Sequence, residues 1–156
     1  MAGDLKFTIK VEDNSKLVLE AEEKAIEDAL FAMGIKAVEG ATDAITGKKS
    51  IASAVDTGRL RASISFITPT FESGQINKQT PKAGSKVERN PLRQGDLLSG
   101  SAEKNSVVVG SNVEYAEPVH NGTSKMAGRP FLREGIDKTK GEMERQVTTI
   151  LKGGTI

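Results

Sequence analysis

The chain has one histidine and no cysteine, so His120 is its obvious candidate for proton transfer near neutral pH. Glu114 and Glu117 lie close by in sequence, and Ser111 or Thr123 offers a hydroxyl. A general base needs a nucleophile or water within reach and a partner that orients the ring. No G-x-S-x-G elbow and no H-E-x-x-H pair accompanies His120. His120-Asn121-Gly122 has the look of a nuclease His-Asn pair but lacks the second His or the Cys set that would hold a metal. A hydrolase or nuclease built on His120 is the minor reading, and a polar loop residue the preferred one. Gly40 to Gly47-Lys48-Lys49-Ser50 has two residues too many for a phosphate loop, puts Lys49 at the Ser/Thr position and follows a helix pattern, so it is rejected. Glu20, Glu22, Glu23, Glu27 and Asp28 would hold a hard cation only with oxygens from an opposing segment. A solvated helix face, partly neutralised by Lys16 and Lys24, accounts for them. Asn121-Gly122-Thr123 fits a glycosylation pattern, but Met1–Lys10 lacks the apolar core of a signal peptide. No catalytic residue, metal or cofactor is expected.

Elements must position whatever these residues do. At 156 residues, with 37% hydrophobic and 28% charged residues, the chain reads as one domain, 1–156, able to bury a core without staples. A net charge of +1 gives no global field toward nucleic acid or membrane, and no apolar run approaches a membrane span. Aromatics make up 4%, with no Trp, a thin apolar supply that suits burial against further copies of the chain.

Leu5, Phe7, Ile9 and Val11 alternate with Lys6, Thr8 and Lys10, which predicts a strand with one buried face. Asp13-Asn14-Ser15 offers helix caps. From Leu17 to about Ile45 the period becomes 3.6, with Ala25, Ile26, Ala29, Leu30, Met33, Ala37, Val38, Ala41, Ala44 and Ile45 on one stripe. Gly34 or Gly40 is expected to bend or break this helix and Gly47 to stop it. Lys48–Val55 reads as a small polar connector. Asp56 or Thr57 could cap one helical turn with Leu60 inward and Arg59 and Arg61 outward. A strand follows around Ile64 and Phe66, interrupted near Pro69, and Val107–Val109 is its expected partner. Asn112–His120 reads as a turn and a short helical piece limited by Pro118, and Asn121-Gly122 as a turn. Pro130 suits the first position of a final helix carrying Leu132, Ile136, Met143, Val147, Ile150 and Leu151, with Gly153-Gly154 ending it. Gly135 and Gly141 each weaken that helix by about 1 kcal/mol relative to Ala, so packing must hold it.

Residues 72–104 show little periodicity and many Pro and Gly, which predicts a flexible or arm-like insertion. Between Gly74 and Gly100, Lys78, Lys82, Lys86, Arg89 and Arg93 outnumber Glu88 and Asp96, a local net charge of +3. These five bases are a possible DNA-facing set, although no aromatic is present to stack bases. An arm to a neighbouring subunit is preferred. Deleting 75–100 would then leave the monomer folded and weaken assembly.

Two separated segments resemble one known family. The first is Tyr115-Ala116, Val119, Gly122-Thr123, Lys125-Met126 and Arg129-Pro130-Phe131-Leu132. The second resembles V-D-T-G-x-L-x-x-S-I, matched at Val55, Asp56, Thr57, Gly58, Leu60, Ser63 and Ile64. Together they are similar to the minor tail component, tail completion or head–tail joining proteins of the tailed-bacteriophage neck. The chain departs from that family at His120, where an acidic residue is common, and across the long 72–104 stretch. The resemblance implies an α+β fold, a small antiparallel sheet packed against a long N-terminal helix and a C-terminal helix. It also implies a homo-oligomeric ring in the virion neck, assembled in the host bacterial cytoplasm, between portal or adaptor proteins and tail tube or terminator proteins, with DNA passing through its lumen. A head-completion stopper or a tail-terminator ring is the nearest alternative. On this reading Tyr115, Val119, Pro130, Phe131 and Leu132 anchor the final helix to the sheet. Asp56, Gly58 and Gly122 shape turns, and Arg59, Arg61 and Arg129 pair with carboxylates of a neighbouring subunit.

Overall fold

The computed structural model describes residues 4–11, 20–46, 58–72 and 92–153. Its order is β1 (Leu5–Lys10), α1 (Glu20–Thr46), α2 (Arg59–Ser63), β2 (Ser65–Ile67), β3 (Ser106–Ser111), α3 (Ala116–Asn121), β4 (Gly122–Thr123), β5 (Met126–Ala127) and α4 (Phe131–Leu151). The fold is α+β, with a three-stranded antiparallel sheet ordered β1-β3-β2 and a two-stranded hairpin of β4 and β5. The caps at Asp13–Ser15, the stop at Gly47, the connector and Gly154 lie outside the described residues.

Alternation along β1 places Leu5, Phe7 and Ile9 on the side of the helices, and each is paired with an odd-numbered residue of β3: Ser111, Val109 and Val107. Leu5, Val107 and Val109 share the main core with Leu30, Met33, Ala37, Val38 and Ala41 of α1 and with Phe131, Leu132 and Met143 of α4. β2 pairs with the other side of β3, Ser65 opposite Gly110 and Ile67 opposite Val108.

All three residues of β2 are buried, so both of its faces are covered. Phe66 points at α1, where its ring occupies the space a Cβ on Gly34 would need. Ser65 points the other way and its Oγ accepts the Leu98 N–H at 2.9 Å. Leu98 is fully buried. Residues 92–104 therefore belong to the body of the protein, which corrects the expectation of an arm for the second half of the 72–104 stretch. The cause is side-chain anchoring: Asp96 and Leu98 are both buried, although the segment has no periodicity.

α1 runs unbroken through Gly34 and Gly40. Neither glycine breaks it, and each is a site of close approach instead. Gly40 lies against the Gly135 carbonyl and the Thr139 methyl of α4, and Gly135 lies against the backbone of Gly40 and Ala41. Two helices meeting glycine to glycine come nearer than any side chain permits, and α1 with α4 forms the most extensive contact between described elements.

Three local expectations are corrected. Pro118 lies within α3 and does not limit it, because a proline in the first turn of a helix gives up an N–H that has no helical partner. Pro130 precedes α4 as its N-cap with ψ 60°, and Phe131 takes the first helical position. Ser63 ends the short helix α2, so β2 begins only at Ser65.

Candidate functional site

The residues on which the two family-like segments meet are gathered around Arg59. Gly58 precedes α2 with φ +75°, a left-handed conformation that glycine adopts without penalty. That turn sends Arg59 into the protein, where it is 3% exposed. Its Nε and Nη2 donate to Asp96 Oδ2 and Oδ1 at 2.8 and 2.6 Å. Nη1 and Nη2 donate to Glu114 Oε1 and Oε2 at 2.8 and 3.0 Å. Both carboxylates are bound bidentately, the geometry for which a guanidinium fork is suited. The guanidinium also lies 5.9 Å from the centre of the Tyr115 ring.

Asp96 is itself held. The Arg93 N–H donates to its Oδ2 at 2.8 Å, and its carbonyl accepts the Asn112 N–H at 3.0 Å. Burial pushes the Asp96 carboxyl up, but the hydrogen bonds from Arg59 and from the Arg93 backbone outweigh it and hold the group below its ordinary value. The Arg59 hydrogen bond lowers Glu114 as well, although that side chain is half exposed. Hydrogen bonds from Asp96 and then Glu114 raise the already high Arg59 value, so the guanidinium stays charged. A second link crosses the same ground, where Ser63 Oγ and Ser111 Oγ lie 2.6 Å apart.

Arg59 was expected to reach a neighbouring subunit, and this is corrected: its donors are directed to Asp96 and Glu114 of its own chain. Arg61, half-buried, donates to Thr46 Oγ1 at 3.3 Å. Arg129 is half-buried, and its backbone N–H donates to the Val119 carbonyl at 2.8 Å. That bond closes the β4–β5 hairpin, in which Gly122, with φ +86°, packs against the backbone of Gly128. Phe131 and Leu132 are fully buried, while Tyr115, Val119 and Pro130 are half-buried. Arg93 is exposed on its side-chain side. Asp56, Lys78, Lys82, Lys86 and Arg89 lie outside the described residues.

His120 is not the polar loop residue expected. It sits on α3, 6% exposed, with its ring 5.5 Å from that of Phe7 and 5.3 Å from that of Phe131. Nδ1 lies 3.0 Å from Asn121 Oδ1, and Nε2 is buried without a hydrogen-bond partner among the described residues. A ring enclosed by two phenylalanines fills a gap between β1 and α4. Among the described residues no three His, Asp or Glu side chains converge as a metal site. None of the described helices is long and apolar enough to cross a membrane.

Asp96 and Glu114 are the partners that sequence reasoning missed. They lie 37 and 55 residues from Arg59. A charged residue beside a turn reads as solvated, since Arg is rarely buried unless paired. Comparisons with protein-family models, with curated proteins and with solved structures found no match for the chain.

Proposed function

We propose that the chain is a structural subunit of the tailed-bacteriophage neck, forming an oligomeric ring that joins the DNA-filled head connector to the tail. The observation that carries this reading is the union of the two family-like segments around one buried cation. Arg59 follows Val55-Asp56-Thr57-Gly58, Tyr115 opens the second segment, and Glu114 immediately precedes it. Arg59 stands at the unspecified position of the first segment, and its contacts with Tyr115 and with Glu114 just before it lock α2 to the turn before α3. That is the use expected of a subunit whose work is holding a shape. The closed aromatic setting of His120 supports the same reading, because no solvent-exposed base is presented there.

In this reading the ring makes interfaces and no bond is formed or broken by it. Arg61 and Arg129 remain candidates for pairing with a neighbouring copy. Electron microscopy of particles assembled without this chain tests the proposal. Filled heads without tails, alongside separate tails, are the expected outcome. Particles that join heads to tails normally would overturn it.

A further inference from the structure

β1 is an edge strand of the sheet, with no strand of the described residues paired to its outer side. The Val11 N–H donates to the Asn105 carbonyl at 3.1 Å, continuing the β1–β3 register by one step. In an antiparallel ladder this makes the odd-numbered residues of β1 the ones that bond to β3. The main-chain N–H and C=O groups of Lys6, Thr8 and Lys10 therefore point away from the sheet. Among the described residues no backbone group pairs with them.

Beside that edge runs a groove of about 430 Å³. Its apolar lining comes from Ile9 of β1, Met33 of α1 and a stripe on α4 from Ile136 through Met143 to Val147. Lys10 lines it too, although its side chain belongs to the opposite face of β1, so the groove reaches around to the strand edge. From Ile136 to Val147 the helix rises about 16 Å, the length of about five extended residues.

We propose that this edge and groove form a docking site for an extended peptide segment of a partner protein, with apolar side chains at alternate positions and acidic ones between them. A strand laid about 4.8 Å from β1 satisfies the outward main-chain groups and sends every second side chain into the groove. The intervening side chains lie beside Lys6, Thr8 and Lys10 on the exposed face, where opposite charge is favoured across strands. Lys6 and Lys10 now hold Asp4 at 2.9 Å and Glu103 at 3.2 Å, pairs between largely exposed side chains that are readily exchanged. A second copy of β1 is a poorer occupant, because antiparallel pairing centred on Thr8 sets Lys6 opposite Lys10 twice. The proposal does not depend on the neck reading.

The probe is a fluorescein-labelled octapeptide of alternating Val and Glu, with a control in which a central Val-Glu pair is replaced by Pro-Pro, so that a main-chain N–H facing β1 is lost. Saturable anisotropy with the full chain is expected, with amide shifts concentrated at Lys6, Thr8 and Lys10, and no binding of the control. Thr8→Pro removes an N–H that the β1–β3 ladder does not use, so the thermal midpoint is expected to hold. Its affinity should fall at least about tenfold, the equivalent of one or two main-chain hydrogen bonds. Val147→Asp, which leaves the strand untouched, should weaken binding by a similar factor. A wild-type chain that binds neither peptide, or binds both equally, overturns the proposal. So does a folded Thr8→Pro with unchanged affinity, or a wild-type dimer that Thr8→Pro dissociates without any peptide binding.

Discussion

Arg59, Asp96 and Glu114 carry different weights despite similar geometry. Asp96 is buried with Arg59, so removing its charge takes a buried carboxylate away from an interior guanidinium, whereas Glu114 is half exposed. Asp96→Asn is expected to cost about 3 to 5 kcal/mol, whereas Glu114→Gln, at the solvent boundary, should cost under about 1 kcal/mol. The pH dependence has a fixed sign. Because the folded Asp96 value lies below its unfolded one, the unfolded chain binds more protons between the two, and stability rises with pH there. The contribution is complete above about pH 4 to 5 and is lost as pH falls below about 4. Denaturant midpoints measured from pH 2.5 to 7 should therefore show wild type and Asp96→Asn converging on the acid side. A gap as wide at the acid end as at neutrality would mean that the carboxylate charge is not what matters. None of this was visible near Arg59 in the sequence, because a burial determined by residues far along the chain leaves no local pattern.

Elements were legible where periodicity is strong and obscure where glycine takes part. The alternation in β1 and the stripe from Ala25 to Ile45 follow directly from burial on one face. The glycines of α1 and α4 were read as weak points because a helix peptide without a Cβ loses propensity, a local effect. Their tertiary use is the opposite at three of the four, Gly34, Gly40 and Gly135. A Cβ at Gly135 would meet the backbone of Gly40 and Ala41, which cannot yield as a flexible side chain can. Gly135→Ala gains about 1 kcal/mol of helix propensity but forces α1 and α4 apart, so the net effect should be a loss of about 1 to 3 kcal/mol. At Gly141 a Cβ meets nothing within 4 Å, and Gly141→Ala should stabilise by up to about 1 kcal/mol. Thermal melts of the two variants check the pair, and shifts in the same direction would remove the close-approach account of Gly135.

At the scale of the whole molecule the question is which part of 72–104 the fold needs. A sequence rich in Pro and Gly, with a charge of +3 between Gly74 and Gly100, reads as an arm, and on that reading deletion of 75–100 spares the monomer. The packing of its second half leads to the opposite expectation. The deletion removes Asp96, and with it a buried partner of Arg59, a loss of about 3 to 5 kcal/mol. It also removes Leu98, fully buried, at about 2 to 5 kcal/mol, and uncovers the face of β2 that Ser65 and Ile67 present. These losses are not strictly additive, since both residues hold one segment. Even at their lower ends they approach the total stability of a small domain, about 5 to 15 kcal/mol. The deleted chain should therefore show no cooperative thermal transition by circular dichroism. If it instead melts within a few degrees of wild type, Arg59 must have found other partners, and residues 92–104 are dispensable to the fold after all.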